Sequence, residues 1–170
     1  MIQSQTCRKI LVPCDGSKPS TNALKKASEL FMSKGSDANN TKQTEIILLY
    51  AVPHIEVPLP LDEDEMMVTE SAQIEYIQQT YSYLRDRALG VLQELADKFI
   101  NKDRFNVKVQ ILYGCPVEKI IEFAQKEKVD VIVMGNIGLS GFSKLKVLGS
   151  VSRSVSERAE VPVMIVPYSQ

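Results

Sequence analysis

The residues best placed to do chemistry in this chain are glycines and a serine, with no acid–base pair beside them. Gly135, Gly138, Gly141 and Gly149 punctuate the run Gly135-Asn136-Ile137-Gly138-Leu139-Ser140-Gly141-Phe142-Ser143-Lys144-Leu145-Lys146-Val147-Leu148-Gly149-Ser150. That run follows an apolar segment and leads into a helical pattern. Glycine lets backbone N–H groups come close to a ligand with no Cβ between them. Ser150 at the start of a helix adds a hydroxyl to exposed amides and to the positive end of the helix dipole, a seat for an anion such as phosphate. A tight strand-to-helix connection capped by Ser150 explains the same residues without a ligand, and residue types alone leave both readings open.

Other candidates are weaker. Asp15 follows an apolar run and reads either as a ligand contact or as the cap of the turn it shares with Gly16 and Ser17. Lys144 and Lys146 either help neutralise phosphate or stand in solvent. Cys14 and Cys115 read as small packed residues, because no resolving partner is adjacent. His54 lies in a proline-rich stretch with no nearby carboxylate–nucleophile pair and reads as a surface residue. The run Asp62-Glu63-Asp64-Glu65 lacks calcium-loop spacing and reads as a solvated acidic loop. There is no G-x4-G-K-[ST] loop, and neither a second base nor a metal cluster accompanies the glycines. Binding is therefore the expectation, no catalytic residue and no metal ligand is assigned, and a slow ATPase through Ser150 and the lysines is the enzymatic alternative.

Five short apolar segments rich in β-branched residues must position these groups. Lys9–Pro13, Glu45–Val52, Val129–Met134 and Val161–Val166 read as buried parallel strands, and Asn106–Tyr113, with its partial alternation, as a strand nearer an edge. Helical periodicity falls between them at 20–33, with Ser20 as its N-cap, and at 71–101, 117–128 and 150–159. The alternation of strand and helix predicts right-handed crossovers and a doubly wound α/β sandwich. The stretches 35–44 and 53–70, the second with three prolines before its acids, read as flexible surface loops.

Composition limits the rest. At 170 residues the chain is sized for one domain, and 44% apolar against 24% charged residues can fill one core. Twenty Lys and Arg against 21 Asp and Glu leave a net charge of −1, with none of the basic excess that nucleic-acid binding needs. No apolar run approaches the length of a membrane span, and the first residues lack a signal-type apolar stretch, so the expected location is cytoplasmic.

The glycine run resembles the G-x2-G-x9-G-[ST] nucleotide motif of the universal stress protein family. The likeness covers nearly the whole chain. Lys9-Ile10-Leu11-Val12-Pro13-Cys14-Asp15-Gly16-Ser17 is similar to the family's first strand and Asp-Gly-Ser turn, and Leu48-Leu49-Tyr50-Ala51-Val52 to its second strand. Gly114-Cys115-Pro116 resembles its Gly-x-Pro turn, and Val161–Val166 its closing strand. One departure is that Leu139–Leu148 is one residue longer than the motif's central spacer, which can move phosphate donors by an ångström or more.

The resemblance implies a three-layer, Rossmann-like sandwich, of the adenine nucleotide alpha-hydrolase-like type, with a parallel sheet of order 3-2-1-4-5. It implies a site for ATP, or for ADP, AMP or cyclic AMP, built from Pro13, Asp15, Ala51, Met134, Gly135, Gly138, Gly149, Ser150 and Val151, with Mg accompanying ATP. Asp15 and Ala51 would flank adenine and ribose, and Gly135 and Gly138 would pass close to ribose and phosphates. Gly149, Ser150 and Val151 would offer amides to the phosphates. The implied role is a nucleotide-binding regulator of the stress response, dimeric through strand 161–166. The alternative is an interaction module that works without nucleotide.

Overall fold

The computed structural model describes residues 9–31, 44–54, 63–138 and 148–168, with side chains in the second helix from Ala72 onward. In chain order the elements are β1 (Lys9–Pro13), α1 (Lys18–Leu30), β2 (Thr44–Val52), α2 (Glu63–Phe99), β3 (Phe105–Tyr113), α3 (Pro116–Lys126), β4 (Val131–Gly135), α4 (Ser150–Arg158) and β5 (Val163–Val166). The five strands form one all-parallel sheet in the order β3-β2-β1-β4-β5. The α/β architecture read from the sequence and the strand order implied by the resemblance are those observed.

Burial on both faces explains why the central strands are continuous apolar runs rather than alternating ones. Ile10, Val12, Ile46, Leu48 and Val133 point to one face and meet Ala23, Leu24 and Ala27 of α1 and Leu92 and Ala96 of α2. Leu11, Ile47, Leu49, Ile132 and Met134 point to the other and meet Ile120, Phe123 and Ala124 of α3 and Val155 of α4. The chain therefore folds as three layers, helices α1 and α2 on one side and α3 and α4 on the other. Successive connections leave β1 in opposite directions across the sheet, so a crevice opens at the carboxyl ends of β1 and β4.

Several boundaries differ from expectation for identifiable reasons. The stretch 53–70, expected as a surface loop, is helical from Glu63: its prolines all precede that residue, and the acids at 63–65 complement the positive end of the helix dipole. The cap of α1 is Ser17 rather than Ser20, its hydroxyl accepting the Ser20 N–H at 3.2 Å, and Pro19 in the first turn needs no acceptor. β5 starts at Val163, since Pro162 has no N–H to give, although its carbonyl accepts Ile132 N–H at 2.9 Å. Of the other expected loop, residues 35–43 lie outside the described residues, and Thr44 opens β2.

Candidate functional site

A cleft of about 510 Å³ opens at the carboxyl ends of β1 and β4, and all nine residues expected at the site line it. Pro13 ends β1, Ala51 lies late in β2, and Met134 and Gly135 close β4. Asp15 follows β1, Gly138 follows β4, and Gly149, Ser150 and Val151 begin α4. The sheet gathers them from separate parts of the chain because every strand runs the same way. Lys144, Lys146 and most of the lengthened spacer, residues 139–147, lie outside the described residues.

Asp15 does two things at once. Its Oδ1 accepts the Ser17 N–H at 3.0 Å, the turn-capping role, while its other oxygen faces the glycines. A Cβ on Gly138 would come within 2.9 Å of Oδ2, so the glycine admits the carboxylate to the cleft. Gly16 bends the chain between them with φ +79°, a left-handed conformation that favours glycine. At Gly135 the demand for glycine comes from elsewhere. A Cβ there would lie 2.8 Å from the carbonyl carbon of Pro19 and 2.9 Å from its oxygen, so this glycine lets α1 pack on β4.

The first turn of α4 lines the same cleft. The opening amides of a helix have no intrahelical acceptor, and here no side chain caps them. The expected donor set needs one correction. The Gly149 N–H is committed to the Asn136 carbonyl at 2.7 Å, so the donors left are those of Ser150, Val151 and Ser152, with the Ser150 hydroxyl. Ser152 was not expected at the site. Its buried hydroxyl donates to the Gly135 carbonyl at 2.8 Å and pins α4 to the end of β4. Its place two residues after Ser150, on the face of α4 that turns towards Val155, was the available signal.

The remaining walls are largely apolar, formed by Leu49, Pro53, Pro116, Ile120 and Ile137, with Ser20 and Tyr50 the hydroxyl-bearing residues among them. Among the described lining residues there is no Lys, Arg or His, so what they offer an anion is oriented amides and the Ser150 hydroxyl. Cys14 is buried in the floor, and burial, with the charge of Asp15 adding to it, pushes its thiol far above the ordinary range. It stays protonated and unreactive at neutral pH. Cys115, expected as a packed residue, is instead exposed at the N-cap of α3. His54 is exposed, as expected. Among the described residues no group of His, Cys, Asp and Glu could hold a metal ion, and no helix is long and apolar enough to cross a membrane. The described residues can hold a ligand with an anionic end, and among them no nucleophile is hydrogen-bonded to a base.

A parallel sheet of this order, with a cleft at the switch between β1 and β4, defines a Rossmann-like α/β fold. The model of the universal stress protein family matches residues 6–167, and the chain belongs to that family. Universal stress protein MJ0531 of Methanocaldococcus jannaschii is 31% identical over 160 residues, covering 94% of this chain and 81% of the relative. Universal stress protein Rv1636 of Mycobacterium tuberculosis is 30% identical over 161 residues, covering 92% and 94%. Among solved structures, that of MJ0577 from M. jannaschii superposes with a TM-score of 0.72 at 28% identity, covering 97% of this chain and 99% of that one. A universal stress protein in complex with cAMP superposes at 0.56 with 22% identity, covering 96% and 99%. One from Arabidopsis thaliana with AMP bound gives 0.56 and 19%, covering 95% and 92%.

Proposed function

We propose that the cleft binds an adenine nucleotide, ATP foremost, and that the protein acts as a nucleotide-binding regulator in the cytoplasm. The observation that carries this reading is the uncapped first turn of α4, which lines one glycine-edged cleft together with Asp15. A carboxylate at one end repels phosphate and accepts hydrogen bonds from neutral donors, so ribose or base belongs beside Asp15 and Ala51. The amides of Ser150, Val151 and Ser152 take the phosphates. Pro13, Met134, Gly135 and Gly138 line the path between, and the volume suits a nucleotide-sized ligand. The relatives of the same fold described with cAMP and with AMP support the adenine part. With one carboxylate among the described lining residues, Mg enters as the ATP complex, held by the phosphates.

The regulator works as one domain and as a homodimer. Among the described strands β5 pairs only with β4, and its half-buried Val163, Met164 and Ile165 are suited to meeting a second copy at the free edge. Calorimetric titration of nucleotide-stripped protein with ATP, ADP, AMP and cAMP tests the binding reading. Neither heat nor a thermal shift at millimolar nucleotide would overturn it. One observation favours an alternative, a module that works without nucleotide: the Gly149 amide is already occupied by Asn136. Full partner binding by protein whose Ser150→Asp change blocks the nucleotide would support that alternative. Slow ATP hydrolysis is the weakest reading, because the one carboxylate among the described lining residues, Asp15, already accepts the Ser17 N–H.

A further inference from the structure

Asn136 has no part in the binding scheme above, yet three hydrogen bonds converge on it. Its N–H donates to the Val166 carbonyl at 3.2 Å, and its carbonyl accepts the Gly149 N–H at 2.7 Å. Its side-chain Oδ1 accepts the Tyr168 N–H at 3.0 Å. Two of these bonds reach the last residue of β5 and the segment that leaves it, which Asn22 of α1 also holds through a 3.2 Å bond from Nδ2 to the Pro167 carbonyl. The third fixes the N-cap residue of α4. One asparagine thus joins the chain after β5 to the helix end whose amides face the cleft.

We infer that Asn136 is a positioning residue for the phosphate end of the cleft, anchored by the backbone of the segment after β5. The inference rests on the nucleotide reading above. A loop residue can aim a helix terminus only if its own peptide is fixed, and the Asn136 peptide is held from three directions. Contact with α4 is direct: a Cβ on Gly149 would meet the Ile137 Cα at 3.3 Å and the Asn136 oxygen at 3.5 Å, so the two backbones touch. The Ser152 hydroxyl ties the same helix to Gly135, one residue before Asn136. These tethers together set the direction of the Ser150 and Val151 amides. Without Oδ1 the Tyr168 N–H loses its acceptor and the Asn136 peptide loses a restraint. The Gly149 N–H is then bonded to a moving acceptor, and the donors of α4 must be ordered when the ligand arrives.

The experiment compares wild type with Asn136→Ala and Asn136→Asp, the latter keeping an acceptor oxygen. ATP and adenosine are titrated by calorimetry, and exchange of the Gly149 and Tyr168 amides is followed by NMR without ligand. Asn136→Ala is expected to weaken ATP by about five- to tenfold, the worth of one neutral hydrogen bond, and to leave adenosine within about twofold. Exchange should quicken at both amides, and Asn136→Asp should restore slow exchange at both. General loosening of the fold would weaken adenosine as much as ATP, and that result overturns the inference. Unchanged Gly149 exchange in Asn136→Ala overturns it too. A wild type that binds neither ligand defeats the nucleotide reading, while the Gly149 exchange still decides whether Asn136 positions α4. Should Asn136→Ala not fold, Tyr168→Pro removes the same bond from the donor's side and carries the same expectations.

Discussion

Replacing Gly135 with alanine tests the packing argument where the obstacle is rigid. The added Cβ would sit 2.8 Å from the carbonyl carbon, 2.9 Å from the oxygen and 3.0 Å from the Cβ of Pro19. Proline's ring locks its φ, so the obstructing atoms cannot swing aside as a side-chain tip would. Relief requires the first turn of α1 to lift from β4 by about half an ångström, since interiors are close-packed. Ala23, Leu24 and Ala27 of that helix are fully buried, so lifting it loosens their packing against the sheet. Overpacking of this kind costs about 1–3 kcal/mol. In a chain of this length each kcal/mol lowers Tm by about 2–4 °C, so Gly135→Ala should melt about 2–12 °C below wild type. Scanning calorimetry gives the shift, and urea unfolding should show a lower midpoint with an unchanged m value. A Tm within about 1 °C of wild type would mean that α1 yields freely and that the packing reason for glycine is wrong.

Gly138→Ala should behave in the opposite way. Its obstacle, Asp15 Oδ2 at 2.9 Å, is the end of a side chain that can turn aside by giving up the Ser17 N–H. Tm should fall by less than about 4 °C, and ATP affinity by about tenfold, the worth of a hydrogen bond to a charged group. An affinity equal to wild type would remove Asp15 from the site. At the other end of the sheet, Lys108 is the main cause, with Lys9 assisting against partial burial, that holds the Glu127 carboxyl below the usual range. A depressed folded-state pKa gives stability that is present above the unfolded-state value and lost as pH falls through the folded one. Urea midpoints should therefore drop more steeply on acidification below about pH 5 in wild type than in Glu127→Gln, and parallel curves would refute this. Ser152→Ala, which removes the bond to the Gly135 carbonyl, should cost about 1 kcal/mol and be read as a Tm loss of about 2–4 °C. With Cys7 replaced by serine, a thiol reagent should label Cys115 in native protein and Cys14 only after unfolding. Equal labelling rates would contradict the buried, protonated thiol.

The strands were legible because a parallel sheet covered on both faces writes its burial as unbroken apolar runs, as in Ile46–Leu49. The site was legible in outline for a related reason. A sheet whose strands all point one way brings their carboxyl ends together, so Asp15, Gly138 and Ser150 meet although far apart in sequence. Helix starts were harder to read. Ser17 and Ser20 are equivalent as residue types, and the choice between them depends on Pro19 and on a bond to Ser20 that only the folded turn reveals. The acids at 63–65 fit a solvated loop and a first helical turn equally well by composition, and in the structure they open α2. Asn136 left no signal at all. Its partners Gly149, Val166 and Tyr168 lie 13, 30 and 32 residues away, and each contributes a backbone group that every residue carries. Gly135 was placed in the right site for an incomplete reason, because nothing local shows that Pro19 packs against it.

If the cleft takes a nucleotide as proposed, charge decides which way round it lies. A phosphate oxygen brought within about 4 Å of the Asp15 carboxylate would meet a repulsion of about 4 kcal/mol per pair of unit charges at an effective dielectric of 20. No lysine or arginine lines the described part of the cleft to offset it. The α4 end offers the reverse, since each amide that bonds a charged oxygen contributes about 1.5–3 kcal/mol. Placing the phosphates at α4 and the neutral sugar and base at Asp15 is therefore favoured by several kcal/mol over the opposite orientation. The same reasoning separates two variants that mere loss of contact would not distinguish. Asp15→Asn removes the repulsion but keeps an acceptor, so it should cost little affinity for adenosine and should relax the preference for orientation. Ser150→Asp sets a negative charge against the phosphates and should abolish ATP binding while sparing adenosine. If calorimetry found adenosine lost and ATP kept in Ser150→Asp, the nucleotide would have to lie the other way.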